Sequence, residues 1–282
     1  MVVLMAAAGA GRRWVEFIDR GWRAADGAAP RRACAVAATP YARASAASGA
    51  WRAAGAALSP RPVGAPTEIA AMARSAAFES HVDRYEEWFA DNEAAYVSEL
   101  LALRPFVPMA GQGLEIGVGS GRFAAPLGVG AGIDPSPAML AIARRRGIEV
   151  VQAVAEALPY ADDRFDHALV VTTLCFVDDP AAMLAEARRV LRPGGTLVIG
   201  FIDRDSALGR HYQAHQAGSV FYRDATFHAA DGVERLLAAS GFAIDTWAQT
   251  LTRPVGDAPE IEPVRPGRGA GGFVVVAARS LR

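Results

Sequence analysis

Lysine is absent from the 282 residues, so all 29 basic side chains are arginine. Arginine, alanine, glycine and proline share GC-rich codons, and the bias reads as base composition rather than function. The arginines are spread along the chain and balanced by 30 acids, for a formal net charge of −1. That balance removes the global positive field that a nucleic-acid or anionic-membrane binder uses. Cysteine is scarce: Cys34 and Cys175 occur far apart and in unlike contexts. A disulfide framework or a cysteine zinc site is therefore not expected, and a cytoplasmic setting is. No apolar run reaches the roughly 20 residues that a membrane-spanning helix needs. No HExxH metal motif occurs, and no basic patch interleaved with aromatics suggests nucleic acid.

What is present is enough for one large α/β domain plus an appendage, with hydrophobic residues at 52%. Residues 1–75 form the appendage: rich in Ala, Arg and Gly, poor in acids and weakly periodic, a composition that does not obviously build a core. Three readings stand side by side. The protein starts at Met72, or the segment is an Arg-rich organelle transit peptide, or it is an extension with its own role. A secretory signal fits poorly, because no basic residue precedes the apolar opening MVVLMAAAGAG. Residues 76–282 read as the functional domain.

Regular patterning begins near Phe78. Val82, Tyr85 and Phe89 share one helical face, and Tyr96, Leu100 and Leu103 another, with Asp91 or Asn92 as the cap between them. Strands and helices then alternate. GLEIGVG is a strand running into a glycine turn, and AGIDPSPAMLAIARRRG a strand end and a helix with Ser136 as N-cap and Pro137 at its first position. IEVVQA and the apolar FDHALVVTT are further strands. Asp179-Pro180 opens a helix with Met183, Leu184, Ala187, Val190 and Leu191 facing inward, and Pro193-Gly194-Gly195 stops it before the strand TLVIGFI. GVERLLAASG is a helix ended by Gly241, followed by two closing strands. This alternation predicts a doubly wound, mostly parallel sheet.

The chemistry concentrates in Leu114-Glu115-Ile116-Gly117-Val118-Gly119-Ser120-Gly121. A strand meets a helix N-terminus through three glycines at alternating positions. Residues without side chains let the backbone approach a ligand and take positive φ. Asp134 lies 19 residues beyond Glu115, at the end of the second strand. An acid there suits vicinal ribose hydroxyls, so NAD and S-adenosylmethionine both remain open at this point.

Four segments in order separate them. LEIGVGSGRF, GIDPSPAML, AVAEALPYADDRFD and ARRVLRPGGTLVIGFI resemble successive motifs of the class I, Rossmann-like S-adenosylmethionine-dependent methyltransferases, close to their small-molecule and quinone-type branch. The resemblance covers about Phe78 to Leu281. It implies a seven-stranded sheet with an antiparallel closing strand, N-terminal helices, and a lid inserted after strand five. It also implies roles. Gly117, Gly119 and Gly121 would line the methionine and ribose, with Glu115 supporting the amino-acid end and Asp134 on the ribose. Met139, Ala155 and Glu156 would lie along the adenine, Thr172 and Thr173 would face the methionine moiety, and Tyr85 would cap the cofactor. The sequence departs from the family at Ala153-Val154, where relatives often have Gly-Asp; a valine cannot accept a hydrogen bond from the adenine amino group.

For such a reaction the protein need only align the acceptor and exclude water, so no triad or metal cluster is required. No Asn-Pro-Pro-Tyr motif is present, which leaves a small molecule as the acceptor class. Trp88, Cys175, Phe176, Arg204 and Tyr222 are the candidate pocket residues, and Asp203 and His211 the candidate general bases. His211 and His215 share a helical face but lack a third ligand, so no metal is expected. Two other functions remain in view: a catalytically silent S-adenosylmethionine-binding protein, and an NAD-dependent oxidoreductase on the same fold.

Overall fold

A computed structural model describes residues 75–253 and 260–282, so all but the last residue of the Ala/Arg-rich segment lies outside the described residues. Residues 75–80 are helical, followed by helices α1 (Val82–Asp91) and α2 (Glu93–Leu103). The break between them falls at Asn92, as the two apolar faces predict. Its side chain does not cap α2; it donates instead to the Trp88 carbonyl at 2.9 Å. All but four residues of α2 are buried, so it is a core helix rather than an amphipathic one.

Strand β1 (Gly113–Ile116) is wholly buried and leads through the glycine turn to the short helix α3 (Ala124–Leu127). Next come β2 (Ala131–Asp134), α4 (Pro137–Arg145), β3 (Glu149–Gln152) and β4 (Phe165–Val171). Helix α4 starts as its sequence dictates: the Ser136 hydroxyl accepts from the Met139 amide at 3.2 Å, and Pro137 occupies the first turn, where no N–H is needed. Helix α5 (Pro180–Val190) uses the same device, with Asp179 accepting from Ala181 and Ala182 at 3.0 Å each.

Strand β5 spans Leu191–Ile202, longer than the apolar run alone suggests. Phe165 pairs with Leu191 and His167 with Thr196, so Pro193-Gly194-Gly195 is taken up as an irregularity in the strand. Helices α6 (Ala207–His215) and α7 (Ala230–Ala239) precede β6 (Phe242–Thr250), β7 (Arg265–Pro266) and β8 (Phe273–Ser280).

The strands form one sheet in the order β3-β2-β1-β4-β5-β8-β6-β7. β1 to β5 are parallel, β8 runs antiparallel to β5, and β6 antiparallel to β8. The sheet is the expected one except for an eighth, two-residue strand. Among the described residues β7 pairs only with β6, through Ala248–Pro266 and Gln249–Arg265. A proline lacks an N–H for a further ladder, which confines it to this edge.

One core layer joins Leu114, Ile116, Val170, Leu197 and Ile199 of the sheet to Met183, Leu184 and Val190 of α5 and Val233 and Leu237 of α7. Each such side chain, fully buried, contributes about 2 kcal/mol. From β1 the chain winds outward to β2 and β3, then returns to β4 on the other side. The reversal between β1 and β4 opens a crevice at their C-terminal ends, where open α/β sheets bind ligands. Among the described residues no helix is long and apolar enough to cross a membrane.

Candidate functional site

The turn after β1 and the residues after β4 meet at that crevice. Gly117 (φ 75°) and Gly119 (φ 51°) are both left-handed. A Cβ on Gly117 would come within 2.3 Å of the Thr173 side chain, and one on Gly119 would project towards the Tyr85 hydroxyl at 3.4 Å. Gly121 answers to a different constraint. Its Cβ would lie 2.4 Å from Ile148 and 3.4 Å from the Ala143 backbone, so it permits close packing of the turn on α4.

Asp134 ends β2 beside this turn. Its carboxylate accepts from the Gly119 and Ser136 amides, each at 2.9 Å. Burial pushes its pKa up to about 6, although the two amide hydrogen bonds favour the charged form. Glu115 lies deeper, 1% exposed, with one carboxylate oxygen lacking a partner. Burial, and after it the neighbouring Asp134 charge, holds its pKa well above the carboxylate range.

A cavity open to solvent runs from this turn to the N-terminal helices. Gly117, Gly119, Asp134 and Met139 line one end, with Ala155 and Glu156 beside them and Thr172 and Thr173 next to the turn. Glu156 also accepts from the Asp178 and Asp179 amides, which ties this loop to the start of α5. Thr172 is β-branched yet takes φ 48°, a strained backbone placed directly on the cavity wall. Tyr85 reaches the cavity from α1; burial above all, then Glu115 and Asp134, drives its phenol far above the usual range, so it is a neutral hydrogen-bonding group.

Helix α1 is held over the turn by Glu86. Its carboxylate accepts from Arg122 and Arg146 at 2.5 Å each, and Arg146 also donates to the Ser120 carbonyl. Burial opposes ionisation of Glu86, but the two guanidinium groups prevail and lower its pKa to about 2.

The other end of the cavity is aromatic. Trp88, Phe176 and Tyr222, three of the candidate pocket residues, line it. Tyr212, in the segment after β5, lines it as well, and so do Phe78 and Phe221, which the sequence did not single out. Phe78 packs at 5.1 Å against both Phe176 and Phe221, and Tyr212 at 4.9 Å against Tyr222. Glu99 of α2 also faces this end and was missed; its only sequence signal is an acid beside the apolar Tyr96-Leu100-Leu103 face.

Six anticipated residues lie outside the cavity wall: Glu115, Gly121, Cys175, Arg204, Asp203 and His211. Cys175 lines a small neighbouring cavity, and burial pushes its thiol up to about 12. Arg204 is exposed and pairs with Asp205. Asp203 accepts from the Asp205 and Ala230 amides at 3.2 Å, a structural role at the start of α7. His211 is exposed, its ring 4.4 Å from that of His215. Among the described residues no cluster of three or more His, Cys, Asp or Glu could hold a metal ion.

The polar end suits S-adenosylmethionine. Two missing side chains make a cradle beneath Tyr85, Asp134 offers a carboxylate able to accept from ribose hydroxyls, and the apolar Met139, Val154 and Ala155 form a wall that could cover a base. Val154 is part of it, so the departure from Gly-Asp falls on the wall itself.

Comparison with known proteins agrees. Residues 114–199 match a family model described as a methyltransferase domain. An uncharacterized protein of Methanocaldococcus jannaschii is 43% identical over 204 residues, covering 72% of this chain and 98% of that protein. A ubiquinone/menaquinone biosynthesis C-methyltransferase of Desulfotalea psychrophila is 32% identical over 164 residues, 48% of this chain and 67% of that protein. The crystal structure of a SAM-dependent methyltransferase from Thermotoga maritima, described as a possible histamine N-methyltransferase, is 44% identical with a TM-score of 0.71, covering 74% of this chain and all (100%) of that one. On its glycine turn, its sheet order and these likenesses, this chain belongs to the Rossmann-like S-adenosylmethionine-dependent methyltransferases, and S-adenosylmethionine is its cofactor.

Proposed function

We propose that the protein transfers a methyl group from S-adenosylmethionine to a small-molecule acceptor bound at the aromatic end of the cavity. The observation that carries this reading is the continuity of one cavity from the Gly117–Gly119 turn to the aromatic wall. A cofactor at one end and an acceptor at the other would then face each other across Tyr85 and Thr173.

Bound S-adenosylmethionine supplies a methyl group already activated on a sulfonium. What remains for the chain is alignment and exclusion of water. Asp134 orients the ribose, and Thr172 and Thr173 border the methionine moiety. Tyr85 closes over the turn and is fixed there by the Glu86–Arg122–Arg146 cluster. The rings of Phe176, Phe221 and Tyr222 keep the acceptor end dry. Asp203 and His211 stand away from the cavity, so neither is assigned as a base.

One relative is described as a ubiquinone/menaquinone biosynthesis C-methyltransferase and another as a possible histamine N-methyltransferase, and both descriptions concern small molecules. The test is calorimetric titration of S-adenosylmethionine and NAD into the full chain and its Asp134→Ala variant, followed by methyl transfer onto a pool of extract metabolites. Tight S-adenosylmethionine binding, weakened in the variant, with label passing to a small metabolite, supports the reading. Binding without any transfer would make this a silent cofactor-binding protein, and preference for NAD an oxidoreductase.

A further inference from the structure

Glu99 lies in the middle of α2, is 5% exposed, and faces the cavity at its aromatic end. No described residue donates a hydrogen bond to its carboxylate or pairs with it as a cation, and burial pushes its pKa up to about 8. A carboxyl left alone in an apolar wall costs stability, and most buried polar side chains have a partner. Tyr212 from α6 and Tyr222 from the segment after α6 line the same cavity, and their phenols, like that of Tyr96 on Glu99's own helix, are raised in pKa first by burial and also by the Glu99 charge. Among the described residues the charged ones on the cavity wall are Glu99, Asp134 and Glu156, and none is basic. Among these residues, an acceptor bearing a carboxylate or phosphate would meet only like charge.

We infer that Glu99 is the anchor of the acceptor subsite and that it takes a basic nitrogen, as an ammonium, amidinium or imidazolium on a small molecule with an apolar body. This rests on reading the cavity as a methyl-acceptor site. A cation supplies what the carboxyl lacks: a charge-assisted hydrogen bond and a counter-charge in a low-dielectric wall. The faces of Tyr212, Tyr222 and Trp88 at the same end add attraction for a cation and cover for the apolar body. Bringing in the cation returns Glu99 to its charged form, since the proton held by the isolated acid is released when a positive partner arrives. Glu99 thus acts in binding and orientation, whichever atom of the acceptor is methylated.

The test is calorimetry on the full chain, with and without S-adenosylhomocysteine. Phenethylamine, tryptamine and cyclohexylmethylamine are each titrated beside the alcohol of the same shape. At least one amine is expected to bind ten times or more tighter than its alcohol, with the preference lost in Glu99→Gln and partly restored in Glu99→Asp. No preference for any amine, amine binding unchanged in Glu99→Gln, or a preference for the alcohols overturns the inference. Should Glu99→Gln not fold, infrared spectra of the unmodified protein decide: a bound amine must convert a protonated carboxyl band to carboxylate, and an unchanged band overturns it. The S-adenosylhomocysteine titration is read separately. If that ligand binds and the amines do not, only the Glu99 assignment falls; if that ligand does not bind, the reading of the cavity itself falls.

Discussion

Thr173 directs its hydroxyl to the Gly117 carbonyl at 3.3 Å, and the same side chain stands where a Cβ on Gly117 would have to go. Residue 117 and residue 173 belong to turns after different strands, β1 and β4, and their contact closes the crevice floor. Gly117→Ala therefore meets two penalties, a left-handed φ of 75° and an overlap with Thr173. The backbone penalty alone is about 1–2 kcal/mol. The expected outcome is a melting temperature lowered and S-adenosylmethionine affinity reduced at least tenfold. Adding Thr173→Ala should recover part of the stability, because the overlap is removed while the backbone penalty stays. Strictly additive effects in thermal melts of the three variants would contradict the shared contact.

With Asp134 at the ribose, as proposed, cofactor binding should depend on pH. Its folded pKa, about 6, lies above its ordinary 3.8, so the native chain holds this proton more tightly than the unfolded chain does. Its contribution to stability therefore falls as pH rises from about 4 to about 6. Cofactor affinity moves in the opposite sense, since ribose hydroxyls donate best to the charged carboxylate. S-adenosylmethionine should bind progressively more weakly as pH drops below about 6, and that slope should vanish in Asp134→Asn. Titrations across the window, on both proteins, provide the check.

Removing Glu86 should loosen α1. Glu86→Ala strands Arg122 and Arg146, two half-buried guanidinium groups, without their shared partner. The expected cost is about 2 kcal/mol, or roughly 4–8 °C in melting temperature for a domain of this size. The pKa of Glu86 is lowered, so its contribution is present above its ordinary 4.5 and disappears as pH falls towards about 2. Because Tyr85 is its neighbour, cofactor affinity should fall as well. A variant with unchanged melting and unchanged affinity would show that the cluster does not hold the helix.

His211→Ala and Asp203→Ala should part company. His211 is exposed and away from the cavity, so its loss should leave methyl transfer unchanged. Asp203 is 5% exposed and accepts the Ala230 amide that starts α7, so its loss should cost about 1–2 kcal/mol. Turnover per folded molecule should survive in both. A large drop in turnover with stability intact, in either variant, would return that residue to candidacy as a base.

Local signals make much of this protein legible in its sequence. The period of apolar residues, Ser136-Pro137 and Asp179-Pro180 at helix starts, and Gly241 at a helix end act within a few residues, and each falls at the boundary it predicts. The turn of Gly117 and Gly119 and the acid Asp134 likewise depend on short spacings, because a glycine turn after a strand and an acid at the end of the next strand lie side by side in any sheet of this order. Tertiary structure decided the rest. β7 exists only because β6 offers an edge to Arg265–Pro266. Gly121, which reads as a third cofactor residue by spacing, packs against Ile148 and Ala143 because the helix after β2 lies beneath it. Glu99 looks like one surface acid among many, and becomes a buried, partnerless carboxyl only when β5, α6 and the segment bearing Tyr222 close around α2. Short-range backbone chemistry is written into neighbouring residues, whereas the company a side chain keeps depends on segments a hundred residues away.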